Sequence, residues 1–185
     1  MENRRTFVAA GLPEDVKKYL VGVQTEMSSV DQGIKWVRPE LMHVTLKFLG
    51  KTPERIFPEI EKELEQIMDG REAMSLELSG VGRFPRQGYP KVLWAGMNKI
   101  PKEMYALSDE LNTAFLSMGF DDTGKRFLPH ITLGRVKSKI DEDFLAQFHQ
   151  LNIFSMKFNI DRIIWYESIH RNGILTYDPI RTFYL

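Results

Sequence analysis

Two short segments carry the residues best suited to chemistry, Leu41-Met42-His43-Val44-Thr45-Leu46 and Leu128-Pro129-His130-Ile131-Thr132-Leu133. Laid over one another they agree at four of six positions, and Val against Ile is a like-for-like change. They stand 87 positions apart (130 minus 43), near half of the 185 residues, as a duplicated ancestral unit requires. Residues i and i+2 of a strand point to the same side, so each segment presents an imidazole beside a hydroxyl. Metal-free cleavage of a phosphodiester needs a base for the attacking oxygen, an acid for the leaving oxygen and donors for the nonbridging oxygens. Two His-Thr pairs supply all of these. Imidazole, with an ordinary pKa of about 6.5, suits both proton roles near neutral pH. A single His-x-Thr in a strand is an ordinary surface or core feature; the second copy in the same apolar frame is what points to a site.

Other residues fit an anionic substrate less specifically. By alternation Lys47 shares a face with His43, where it is either a phosphate ligand or a solvated lysine. Residues 125–139 hold Lys125, Arg126, Arg135, Lys137 and Lys139 with no acidic residue, but Asp141, Glu142 and Asp143 follow at once, so a solvated face explains the run equally well. Of these, Arg126 and Arg135 are candidate ligands. The 82–90 loop interleaves basic and aromatic residues, the composition that stacks bases and holds backbone; Phe84 and Arg86 are its candidates. His149, ending a helical pattern, and His170, beside a turn, read as surface or capping residues, and Trp36, Trp94 and Trp165 read as core. Two imidazoles facing across a groove can share a cation, but no carboxylate lies on either motif's strand face, so neither a metal nor another cofactor is expected.

Strands and helices in alternation must position these groups. Residues 7–12 read as a buried strand, and Pro13 before Val16, Leu20 and Val23 reads as a helix start. Over 41–50, alternation puts Val44, Leu46 and Phe48 on a core face and His43, Thr45 and Lys47 on a wet one. The spacing predicts helices over 53–68, 101–118 and 141–150, the first two closed by Gly70 and Gly119. Strands are expected over 74–81, 91–97, 154–167 and 173–185, with a tight turn at Asn172-Gly173 and an exposed loop over 120–126. Each half therefore runs strand, helix, His-bearing strand, helix, hairpin. An approximate two-fold axis would bring both His-Thr pairs to one cleft.

Length and 43% hydrophobic content fit one domain spanning 1–185. Lys plus Arg and Asp plus Glu are both 25, so no global positive field exists to hold long nucleic acid, and any such substrate must be gripped locally. The absence of cysteine excludes disulfides, thiolate metal sites and a cysteine nucleophile, and fits a reducing cytoplasm. The run after Arg4 and Arg5 is broken at Pro13, Glu14 and Asp15, which argues against a signal peptide, and no stretch is long and apolar enough for a bilayer. A cytoplasmic monomer with no membrane association and no obligate protein partner is expected.

The frames from Glu40 to Gly50 and from Phe127 to Arg135 resemble the 2H phosphoesterase superfamily, and within it the RNA 2′,3′-cyclic phosphodiesterases once called 2′-5′ RNA ligases. The resemblance implies an α+β, bilobal, duplicated fold with two antiparallel sheets flanking a central groove and helices packed outside. It implies that His43 is the proton donor, that His130 is the proton acceptor and that Thr45 and Thr132 hold the phosphate. Met42 stands where the family pattern leads one to expect Leu. The implied reaction opens a 2′,3′-cyclic phosphate on RNA to a 2′-phosphomonoester, with 2′-5′ ligation as its reverse. Alternatives are a cyclic phosphate on a small nucleotide or ADP-ribose, or an RNA-end-binding module without turnover.

Overall fold

Apolar residues recurring every three to four positions form helix here, and each helix buries that stripe against a sheet. The computed structural model describes residues 3–28, 33–122, 124 and 126–185. Its α-helices are Glu14–Ser28 (α1), Phe57–Met68 (α2), Lys102–Ser117 (α3) and Glu142–Gln150 (α4). Val16, Leu20, Val23 and Met27 are the buried apolar face of α1; Met104, Leu107, Leu111 and Phe115 are that of α3. Gly70 and Gly119 both adopt the left-handed conformation past their helix ends, at φ 68° and 86°.

The strands are Asn3–Gly11 (β1), Ile34–Trp36 (β2), His43–Pro53 (β3), Met74–Phe84 (β4), Val92–Asn98 (β5), Ile131–Val136 (β6), Lys157–Ile160 (β7), Arg162–Arg171 (β8) and Ile174–Tyr184 (β9). They form one sheet in the order β7-β4-β5-β6-β3-β1-β8-β9, with β2 added beside β6. The order is symmetric about its centre. Four strands lie on either side of a junction where β3 and β6 meet antiparallel at one pair, Val44 opposite Ile131. The two expected sheets are thus the wings of one curled sheet. The wings exchange strands: β4 follows the first half's helices yet pairs with β5, and β8 follows the second half's yet pairs with β1. This explains why the expected strand over 154–167 is two strands. β7 pairs with β4 in one wing, and after Asp161 the chain enters the other wing as β8.

Both His-bearing strands contain an extra residue at the same place. Val8 pairs with Lys47 and Ala9 with Thr45, leaving Leu46 unmatched; Leu93 pairs with Gly134 and Trp94 with Thr132, leaving Leu133 unmatched. Such a bulge puts two successive residues on one face and reverses the alternation beyond it. Leu46 and Lys47 are both buried, as are Leu133 and Gly134, while Phe48 is 60% exposed. The expectation that Lys47 lies beside His43 and Phe48 in the core is therefore reversed. Lys47 turns back beneath the sheet, where its Nζ donates to Asn112 Oδ1 at 2.6 Å and to the Asp121 carbonyl at 2.9 Å. A side chain from a helix of the opposite half caps each bulge carbonyl. Gln24 Nε2 donates to Leu133 O and Val37 O, both at 2.8 Å, and Ser108 Oγ donates to Leu46 O at 3.4 Å.

Among the glycines that permit close approach, two stand in the wing that carries His130. A Cβ on Gly134 would stand 2.7 Å from Ile34 Cγ2, and one on Gly82 would stand 2.2 Å from the Trp94 ring, which lies over its cross-strand partner. Gly22, in contrast, is mid-helix with nothing within 4 Å of its would-be Cβ. Gly82→Ala should lower the free energy of unfolding by about 1–3 kcal/mol, whereas Gly22→Ala should raise it by about 0.5–1 kcal/mol. Urea denaturation of both variants checks the pair; equal effects would contradict the placement of the Trp94 ring.

Candidate active site

The two motifs begin at the junction of the wings, and each histidine is held by the same backbone bond. His43 Nδ1 lies 2.8 Å from Leu41 O, and His130 Nδ1 lies 2.8 Å from Leu128 O. A carbonyl only accepts, so Nδ1 carries the hydrogen in both rings and Nε2 is the atom left to exchange a proton. His43 Nε2 is 2.9 Å from Thr45 Oγ1, which donates to the neutral ring and accepts from the protonated one. Among the described residues, the Thr132 hydroxyl makes no hydrogen bond within the protein.

Aromatic side chains from the strands of each wing pack against its histidine. Around His43 stand Phe7 at 5.0 Å, Tyr177 at 5.3 Å and Tyr166 at 6.5 Å between ring centroids. Around His130 stand Phe84 at 5.0 Å and Trp94 at 6.2 Å. These rings take both imidazoles out of water and so disfavour their charged forms. Burial pushes His43 down to about 4; the bond to Leu41 opposes this, and the charges of His130 and Arg135 add to it. His130 is also lowered, chiefly by burial, again opposed by its backbone bond and assisted by Arg135. Burial raises the phenols of Tyr166 and Tyr177, and Arg135 counters this at Tyr177. Arg135 thus acts on both histidines and on Tyr177, as its position past the Leu133 bulge requires.

The structure brings together His43, Thr45, His130, Thr132, Arg135 and Phe84. Lys47 is excluded because the bulge points it at α3. Arg86, in the β4–β5 turn, and Arg126, ahead of His130, are exposed and form no hydrogen bond or ion pair among the described residues. Lys125 lies outside the described residues. The turn itself is tied down: the Tyr89 hydroxyl donates to Ser138 O and accepts from Ile140 N at 2.9 Å. Trp165 is fully buried and Trp36 packs against the core, but Trp94, also read as core, lies on the groove face beside His130. Phe7, Phe48, Tyr166 and Tyr177 are groove residues that sequence reasoning misses. The alternation of Tyr166 and Tyr177 within their strands is the only sequence signal for them. His149 and His170 are exposed, His149 at the end of α4 and His170 near the end of β8 beside the Asn172-Gly173 turn. Among the described residues, no group of three or more His, Cys, Asp or Glu converges as metal ligands do, and no helix is long and apolar enough to cross a membrane.

A family profile described as LigT like Phosphoesterase matches residues 10–94. A Methanothermobacter thermautotrophicus protein named RNA 2′,3′-cyclic phosphodiesterase is 34% identical over 143 residues, 77% of each chain. The chain belongs to the LigT-like phosphoesterase family. A relative of the same name from Thermotoga maritima is 37% identical over 133 residues, covering 72% of this chain and 70% of its own. Among solved LigT-like folds, a Thermus thermophilus protein superposes with a TM-score of 0.84 at 26% identity, covering 98% of this chain and 97% of that one. Escherichia coli LigT complexed with 3′-AMP shares the fold, with a TM-score of 0.78 at 24% identity and coverage of 100% and 99%.

The lowered imidazoles have a measurable consequence. An unfolded chain takes up a proton at each histidine near pH 6.5, but folded His43 does so only near 4. The unfolded state therefore binds more protons in that window, and the stability contributed by neutral His43 is lost as pH falls from about 6.5 to 4. NMR titration of the free protein should place His43 near 4, and added phosphate should raise it. A midpoint at the ordinary value in the free protein would contradict the burial described.

Proposed function

We propose that this chain hydrolyses RNA ends bearing a 2′,3′-cyclic phosphate, with His43 and His130 as its acid and base. The observation that carries the reading is the identical pinning of two histidines at the junction of the wings, each with Nε2 left to exchange a proton. The names of the relatives support the substrate. A negatively charged phosphate held between the rings opposes the lowering at both, and the proposed reaction assigns the proton to His43 and leaves His130 neutral.

In the proposed reaction, His130 Nε2 takes a proton from water, whose oxygen attacks phosphorus in line with the P–O3′ bond. That bond breaks, and O3′ leaves with the proton from His43 Nε2. The product is a 2′-phosphate with a free 3′ hydroxyl, and protons exchanged with solvent reset both rings. Thr45 and Thr132 donate to the nonbridging oxygens, and Arg135 neutralises developing charge. Phe48 and Phe84, exposed and half-buried on the groove face, offer apolar surface to a base. The halves differ at equivalent positions, Phe48 in one and Arg135 in the other, and this asymmetry supports a single docking direction.

His43→Ala and His130→Ala should each lower kcat about 100- to 10,000-fold, and the double variant should be little worse because the pair acts as a unit. Activity should persist in chelator. Phosphorus NMR of the product from a cyclic-phosphate dinucleotide should show the 2′-phosphate. A 3′-phosphate would reverse the docking and the acid-base assignment, and near-normal turnover by either alanine variant would remove the two-histidine mechanism. Binding without turnover by the intact protein would favour the RNA-end-binding alternative.

A further inference from the structure

The short strand β2 adds a charge to the groove. Lys35 is directly opposite Arg135, while Ile34 and Trp36, opposite Val136 and Gly134, turn to the other side and pack on the core. Directly opposed residues share a face, so Lys35 stands beside Arg135 on the groove side. The ladder continues past β6 with Lys137 N donating to Gly33 O at 2.8 Å. By alternation Lys137 follows Arg135 on the same face.

Lys35, Arg135 and Lys137 are exposed, and none is within ion-pair distance of a carboxylate among the described residues. Being unpaired is shared with exposed Arg86 and Arg126; what sets these three apart is that they neighbour one another on the groove side, whereas many surface arginines lie against acidic residues. Arg4 pairs with Glu54 and Glu167, Arg71 with Glu110, Arg171 with Asp178, and Arg181 with Glu61 and Glu65. In a chain with 25 charges of each sign, three neighbouring cations with no acidic partner among the described residues concentrate positive potential on this part of the groove face. In the reaction proposed above Arg135 serves the cyclic phosphate, while Lys35, on β2, and Lys137, past the end of β6, lie along β6 on the side away from the Val44–Ile131 junction.

We propose that Lys35 and Lys137, flanking Arg135, bind the phosphodiester backbone upstream of the cyclic end, so that this protein selects oligonucleotide ends over mononucleotides. The inference rests on the function proposed above and adds the substrate's length to it. Contacts of this kind act through charge and carry no base preference.

The test compares a nucleoside 2′,3′-cyclic phosphate with a tetranucleotide ending in the same group, for the wild type and the Lys35→Gln/Lys137→Gln double variant. The wild type should favour the tetranucleotide in kcat/KM, and that preference should fall several-fold in the variant. The log-log salt dependence for the tetranucleotide should become shallower by about 0.7 for each lysine removed. Fluorescence anisotropy with a labelled tetranucleotide ending in a 2′-phosphate should show the same loss of affinity and of salt dependence without requiring turnover. An equal length preference and salt slope in the two proteins would overturn the inference. If the wild type cleaves neither substrate, the hydrolytic reading fails, and the anisotropy comparison still decides for or against the lysine row.

Discussion

One extra residue in each histidine-bearing strand decides what the groove contains. Without the bulges at Leu46 and Leu133, the pleat would carry Lys47 and Gly134 to the histidine side and Phe48 and Arg135 to the buried side. With them, an aromatic ring and a guanidinium reach the groove, while a lysine and a glycine turn inward. The inward positions suit what they meet: Gly134 leaves room for Ile34 and Trp36, and the Lys47 ammonium finds Asn112 and Asp121 O. The bulge carbonyls are held from below by Gln24 and Ser108, so helix packing on one face sets side-chain direction on the other.

The same arrangement accounts for the electrostatics. The wings curl around the junction and stack Phe7, Tyr166 and Tyr177 near His43, and Phe84 and Trp94 near His130. Burial in this apolar setting holds both rings neutral, and Arg135 lowers them further. The groove therefore repels additional positive charge and is prepared for an anion. The fixed Nδ1 bonds keep both rings oriented whatever their charge, which lowers the reorganisation needed when a proton moves.

Much of the site was legible in the sequence because its signal is a repeat. The paired His-x-Thr frames, the helix stripes, the helix-ending glycines and the Asn172-Gly173 turn all rest on local pattern, and the structure places them as expected. What was illegible depends on partners far along the chain. A bulge is a relation between two strands, so Lys47 and Arg135 were equally plausible ligands until the register was known. Strand exchange between wings hides in loops of ordinary length, and it brought Tyr166, Tyr177 and Trp94 to the histidines. Strand β2, at three residues, is too short for any period to register.

The proposed reaction requires His43 and His130 to act from opposite sides of one phosphorus. A crystal structure with a nucleoside 2′,3′-cyclic vanadate, whose five-coordinate centre resembles the in-line transition state, tests this most directly. His43 Nε2 and His130 Nε2 should stand at hydrogen-bond distance, about 2.6–3.2 Å, from the two opposite apical oxygens, with Thr45, Thr132 and Arg135 on the equatorial ones. Vanadate bound with both imidazoles on one side, or held by only one of them, would contradict it.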